Sequence, residues 1–465
     1  MDRINEQALR HLEKALACEP DHMPSLIALS NACLKQKEFA KVAGLVEKAL
    51  AFGQDQGGVH EIKARLLHLQ GDFEGASASI GSAIELEPDK PSYFKLASEI
   101  AKSRQNVQEL QFFLERLIDL DPLDGESHLD LARLLRHPDD FARVKLLLEI
   151  SVDLLPGDTR PLFDLARHLY AGESSLPNGT LKAQPAPDAA EALLRKILEI
   201  NENHSEAKML LAEIKLEEES DKDALLLLQE AYEDRKTKGD AAIQLGIIWS
   251  QKGNAEKAMG YFKQAIKFEG SKAMGEFRLG LLYFRQGKSK DAEHYFRKAI
   301  PSLKDEEKRI EKAKEIHLQK LDFHGSRKQL QTLQEIRRRS GEASLGIYKC
   351  NYQNRHQAEA SKLLDHALRL YPHFPEANYE KGMLHLESKE LDYAIDRFIK
   401  SVESDWNYWP SHMELAKAAK SKKEFEKAEM HLKIVLDLDP GNKSALKLLK
   451  QMARKARDPA GSGPA

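Results

Sequence analysis

The chain has 465 residues, 42% apolar and 31% charged, with 71 Lys and Arg against 74 Asp and Glu and a formal net charge of -3. This balance describes a soluble helical protein with a mixed-sign surface and argues against a polyanion partner, so nucleic acid is not expected. No stretch approaches the ~18 consecutive apolar residues of a membrane span, and the opening MDRINEQALRHLEKAL is a charged amphipathic segment without a signal peptide's apolar core. With only Cys18, Cys33 and Cys350, neither a disulfide framework nor a paired metal site can be assembled, and a cytoplasmic location is expected.

In chain order, residues 1–22 read as a lone second helix of a half repeat, with Ala8, Leu12, Ala15 and Pro20 in register. Twelve helix-turn-helix units then begin at residues 23, 57, 91, 125, 159, 205, 239, 273, 307, 341, 375 and 409. Eight of them form an N-terminal arm over 23–304, interrupted by a Pro, Gly and Ser-rich insertion loop at 171–187 that accounts for the one break in phase. Residues 305–340 keep the phase but place Lys314 where a small residue is usual, so they read as a degenerate charged repeat and a possible joint. Three repeats over 341–441 form a C-terminal arm, 442–458 a capping helix, and 459–465 a disordered tail.

The register rests on packing positions. Stepping by 34 residues from Phe262, with one correction for the insertion, gives Val46, Ile80, Leu114, Leu148, Leu194, Leu228, Phe296, Leu330, Leu364, Phe398 and Leu432. All twelve are apolar, an agreement expected by chance on the order of once in thirty thousand. Four residues earlier stands Ala76, Ala190, Ala224, Ala258, Ala292, Ala360, Ala394 or Ala428, with Val42, Leu110, Val144 and Ser326 as the exceptions, and the preceding helix supplies its own small position in Ser30, Ala64, Ala132, Ala212, Gly246, Gly280 and Gly382. Small residues at helical spacing let two helices approach closely.

On these residues, LGIIWSQKGNAEKAMGYFKQAI (245–266) and LGLLYFRQGKSKDAEHYFRKAI (279–300) resemble consensus tetratricopeptide repeats, and the resemblance covers nearly the whole chain. It implies an all-α fold, a right-handed α-solenoid or superhelix of about twelve repeats, whose first helices line a concave groove. It also implies that first-helix positions 2, 5, 9 and 12 touch a partner protein. Those positions offer a basic region, Arg65, Arg133, Arg136, Arg160 and Arg167, and an apolar region, Ile243, Ile247, Phe277, Leu281, Phe284, Tyr379, Met383 and Met413. The expected partner therefore brings an acidic segment and a hydrophobic anchor. The alternative reading pairs the arginines internally with Glu99, Glu126 or Asp130 and buries Phe277 and Ile243 between neighbouring repeats. The carboxylate clamp of chaperone-binding relatives is missing, since Ile27, Ile62 and Ser92 stand at its positions, so heat-shock chaperone tails are disfavoured.

No catalytic chemistry is legible. Gly287-Lys288-Ser289 ends like a phosphate-binding loop, but Leu282 stands where the first glycine is required. HExxH, GxSxG, GxGxxG and a kinase-type HRD set are absent, and no cofactor or metal is expected. The function expected is a non-catalytic protein-binding scaffold or adaptor. Its alternative is a targeting or regulatory subunit for an enzyme on another chain, such as a glycosyltransferase, a protease or envelope or secretion assembly machinery. RNA binding by helical repeats fits the small packing positions poorly.

Overall fold

The computed structural model describes residues 2–52, 56–135, 140–172, 185–319, 323–353 and 357–457, with backbone only for 2–6, 316–319, 323–329, 331, 353, 357–360 and 453–457. Contacts divide the chain into two compact units, Met1–Ile214 with His317–Gly325, and Lys215–Ile316 with Ser326–Ala465. Among the described residues every regular element is an α-helix, and the protein is an all-α solenoid.

The first unit opens with α1 (Asp2–Cys18). Helix pairs follow: α2 (Met23–Lys35) with α3 (Phe39–Phe52), α4 (Gly57–Gln70) with α5 (Phe73–Leu86), and α6 (Pro91–Ser103) with α7 (Val107–Leu120). Next come α8 (Gly125–Leu134) with α9 (Phe141–Leu154), α10 (Thr159–Ala171) with α11 (Pro187–Ile200), and α12 (Ser205–Glu217), inside which the division between units falls. The second unit continues with α13 (Asp221–Glu233), α14 (Lys238–Gln251), α15 (Ala255–Ala265) and α16 (Glu269–Arg285). Two long helices, α17 (Ser289–Gln319) and α18 (Phe323–Gln353), precede α19 (Gln357–Leu370), α20 (Pro375–Glu387), α21 (Leu391–Ser404), α22 (Trp409–Ser421), α23 (Phe425–Leu438) and α24 (Lys443–Arg457). Second helices begin at Phe39, Phe73, Val107 and Phe141, then at Asp221, Ala255 and Ser289, each 34 residues after the last within its run.

A short turn joins the helices of each pair, and in many of these turns one residue adopts positive φ. That position is filled by Gly71, Gly253 and Gly287, but also by Lys37, Gln105, Glu219, Lys389 and Lys423. The left-handed residue frees the chain to reverse while satisfying the last carbonyls of the first helix. Gly287 thus belongs to an interhelical turn, as the failed phosphate-loop match implied. Asp72, Asn106 and Asn254 cap the following helix, accepting from the backbone N–H of Gly75, Glu109 and Lys257 at 3.0, 3.2 and 3.1 Å.

Eleven of the twelve slot residues are buried, each stabilising its repeat by roughly 1.5–3 kcal/mol. Leu330 is the departure, 42% exposed on α18. Here the structure differs from the helix-turn-helix expected at residue 307. α17 and α18 each run 31 residues, so the second helix of one period continues into the first helix of the next. Earlier repeats break at Pro88, Pro122 and Pro156, but proline alone does not decide where a helix ends here, because α11 and α13 end before Glu202 and Lys236 at the same position and α17 runs through Pro301. Because the two long helices themselves start 34 residues apart, at Ser289 and Phe323, the phase survives the change of unit. They are held together by Leu303 and Ile336, which share a core with Phe296, and by Arg337, which bonds Glu307 at 2.5 Å and Glu311 at 2.8 Å. At the far end of the chain, Ala445 and Met452 of α24 cover the core of Leu432 and Val435.

Candidate functional site

First helices of neighbouring repeats pack on one another, α2 on α4, α4 on α6 and α14 on α16. The small position 8 of each first helix faces its second helix, so position 9, one residue round, turns away from that contact. None of the twelve residues at position 9, from Asn31 to Lys417, is buried.

In the first unit the arginines of this face meet carboxylates of the same chain. Arg133 Nε donates to Asp164 at 2.6 Å, Arg167 reaches the same Asp164 at 3.4 Å, and Arg65 bonds Glu61 at 2.6 Å. Arg160 grips Glu126 and Asp158, both at 2.5 Å, and its hydrogen bond holds the Asp158 carboxyl below the usual carboxylate range. Lys95 with Asp124 and Lys102 with Asp130, each at 3.2 Å, extend the same stitching of one repeat to the next. Arg136 lies outside the described residues. The pairs are exposed and worth about 0–1 kcal/mol each, so they set charge balance more than stability. The basic region is thus largely neutralised by the chain's own acids, by Asp158 and Asp164 as well as the expected Glu126.

In the second unit the apolar candidates separate into two groups. Ile243, Phe277 and Met413 are core residues, at 7%, 3% and 6% exposure. All three stand at position 5, which faces the slot of the partner helix: Ile243 clusters with Phe262, Phe277 with Phe296 at a ring separation of 6.2 Å, and Met413 with Leu432. Ile247, Leu281, Phe284, Tyr379 and Met383 remain partly exposed. They are the apolar surface that the face presents.

Polar groups that the sequence reading did not select gather on the same first helices. Tyr348 of α18 donates to Glu380 of α20 at 3.2 Å, and burial pushes both acids up from their ordinary values. Burial also raises Tyr379 and Tyr408, the latter with Glu376 and Glu380 nearby, and raises Glu342, which Arg338 holds at 2.5 Å. The signal was available at position 6, where Ile62 and Leu96 give way to Arg278, Glu380 and Glu414. Among the described residues no group of three or more His, Cys, Asp or Glu could hold a metal ion, and no helix is long and apolar enough to cross a membrane.

Residues 277–300 match the family model of the tetratricopeptide repeat. Among solved structures, the human IFIT1 dimer with PPP-AAAA is 16% identical with a TM-score of 0.42, covering 94% of this chain and 95% of that one. Yeast Tom70 is 14% identical with a TM-score of 0.41, covering 96% and 98%, and the Cut9-Hcn1 hetero-tetramer of the APC/C is 15% identical with a TM-score of 0.37, covering 97% and 94%. No curated protein matches the chain.

Proposed function

We propose that this chain, a tetratricopeptide-repeat protein, is a non-catalytic scaffold or adaptor that holds a partner protein on the face formed by its first helices. The observation that carries this reading is the set of partly exposed apolar side chains on first helices of the second unit, Ile247, Leu281, Phe284, Tyr379 and Met383. Apolar anchors on a preordered surface lose little entropy on binding and form the desolvated centre of an interface. The three cysteines are free thiols, which suits a reducing cytoplasm.

Affinity capture from the native cell with three chains tests this. Partner proteins taken up by the wild type should be lost with Leu281→Glu/Met383→Glu and kept with Leu226→Glu, a control on α13 where the native leucine is already 58% exposed. Equal capture by all three would remove the face from consideration.

A further inference from the structure

The stitching of charge described above lapses at one edge of the second unit. Helices joined by short turns run antiparallel, so the ends of α20 and α22 and the starts of α21 and α23 share this edge. Lys420, at the end of α22, donates to Gln451 of α24 at 3.1 Å, which brings the last turns of α24 to the same place. Some basic groups here are matched, Lys422 by Asp392 at 2.6 Å, Lys427 by Glu424 at 2.7 Å and His385 by Glu390 at 2.6 Å. Lys389, Lys420, Lys423 and Lys450 form no ion pair among the described residues, and Glu426 is an exposed acid beside them.

α24 adds to the excess. It carries Lys443, Lys447, Lys450, Arg454, Lys455 and Arg457 and no Asp or Glu, and no other described helix combines more than one Lys or Arg with a lack of acids. Two aromatic rings stand among these cations. Phe425, the first residue of α23, is 48% exposed, and Tyr393, in the first turn of α21, is 67% exposed. Phe39 and Phe73, at the place corresponding to Phe425 in earlier repeats, are partly buried.

We propose that this edge is a peripheral membrane-docking surface that takes the anionic face of a phospholipid bilayer. Phe425 and Tyr393 sit at the level of the headgroups, where aromatic rings favour the boundary between water and hydrocarbon. The free lysines and the last turns of α24 meet acidic lipids, as clusters of four to eight cations beside an amphipathic helix do. The spread of the charges selects a bilayer over a single phosphate or carboxylate. Lys389 and α24 stand two repeats apart, roughly 20 Å at about 10 Å between neighbouring helix layers, so the cations face many headgroups rather than converging on one. The contact stays at the surface, since no described helix is long and apolar enough to cross a membrane.

The test is sedimentation of the full-length chain with vesicles of phosphatidylcholine, with and without phosphatidylserine. Binding should require phosphatidylserine and weaken as salt rises. Lys420→Gln/Lys423→Gln/Lys450→Gln should lower the partition coefficient by about a hundredfold, at about fivefold per cation, and Phe425→Ser by about tenfold. Leu281→Glu should bind vesicles as the wild type does, so this surface and the first-helix face stand or fall separately. The salt and lipid dependence is read on the unaltered chain, so a folding defect in a variant cannot imitate it. No binding to phosphatidylserine vesicles at low salt, equal binding to neutral vesicles, or unchanged binding by the triple variant would each overturn the proposal. A short single-stranded RNA that binds more tightly than the vesicles and displaces the chain from them would overturn the assignment to lipid.

Discussion

Gly280 on α16 lies against the ring of Phe296 on α17 so closely that a Cβ added at 280 would stand 2.6 Å from Cδ1 of the ring. Gly382 meets Phe398 in the same way, at 2.5 Å, and Gly246 meets Phe262. Where the slot holds Ile80, Leu148 or Leu228 instead, the opposing residue is Ala64, Ala132 or Ala212. Volume is exchanged between the two helices of a pair, as a close-packed interior requires. Phe296 is enclosed on a second side by Gly346 of α18, where an added Cβ would come within 2.5 Å.

This pairing predicts a coupled mutant cycle. Gly382→Ala should destabilise the second unit, because a clash costing about 1–3 kcal/mol outweighs the roughly 1 kcal/mol that alanine adds to helix propensity. Combined with Phe398→Leu, the same alanine should cost less than it does alone. Denaturant titration of the two single variants and the double variant measures this, and additivity within about 0.5 kcal/mol would refute the exchange of volume.

The interhelical turns predict stabilising substitutions. Gln105 and Lys389 hold φ values of 58° and 64°, where a side chain crowds the backbone. Glycine fills the equivalent position at Gly71, Gly253 and Gly287. Gln105→Gly and Lys389→Gly should each raise stability by about 0.5–1 kcal/mol, the relieved strain exceeding glycine's entropy cost. Thermal melts that move downward for both would contradict this account of the turn.

A histidine pair, one member fully buried and the other partly so, predicts acid sensitivity at the end of the second unit. His412 of α22 is fully buried, bonds the Trp406 carbonyl through Nε2 at 2.9 Å and faces Nδ1 of His431 across 3.0 Å. If Nε2 of His412 carries the proton given to that carbonyl, its Nδ1 is the acceptor and His431 the donor. Burial, then the neighbouring His412, lowers His431 from 6.5 to about 4. The unfolded chain therefore takes up a proton that the folded chain refuses, so this contribution is complete above pH 6.5 and is lost as pH falls toward 4. Stability measured between those limits should fall less steeply in His431→Gln than in the wild type, and identical slopes would show that the pair does not titrate in this way.

Thiol reactivity predicts a readout of folding for each unit. Cys18 is exposed, while Cys33 and Cys350 are buried, and burial pushes the Cys350 thiol up to about 11. At neutral pH an alkylating reagent should modify Cys18 at once and the others only as their units open, since the thiolate is the reacting species. Peptide mapping after a brief pulse checks this, with rapid labelling of Cys350 in the native protein as the contrary result.

Much of this architecture is local and therefore legible in the residues. A 34-residue period, an apolar slot with a small residue four before it, and turn residues between helices are properties of one helix pair, repeated. Each unit buries its face only against its neighbours, so the signal recurs without long-range information. The site was less legible. Position 9 does turn outward throughout, but Ile243, Phe277 and Met413 at position 5 are drawn inward by the slot residues of the partner helices.

What the sequence determined by itself is the repeat, its phase and the apolar character of its packing positions, because helical spacing links these residues through the backbone. Only the tertiary structure decided how each period closes and which charges meet. The same phase accommodates a helix-turn-helix and, through α17 and α18, two helices of 31 residues. Arg133 finds Asp164 31 residues away, whereas the buried Nε of Arg278 has no hydrogen-bond partner among the described residues. Charge pairing across repeats depends on the distance and rotation between helices that are not adjacent in the chain, and a side chain's identity does not contain that geometry.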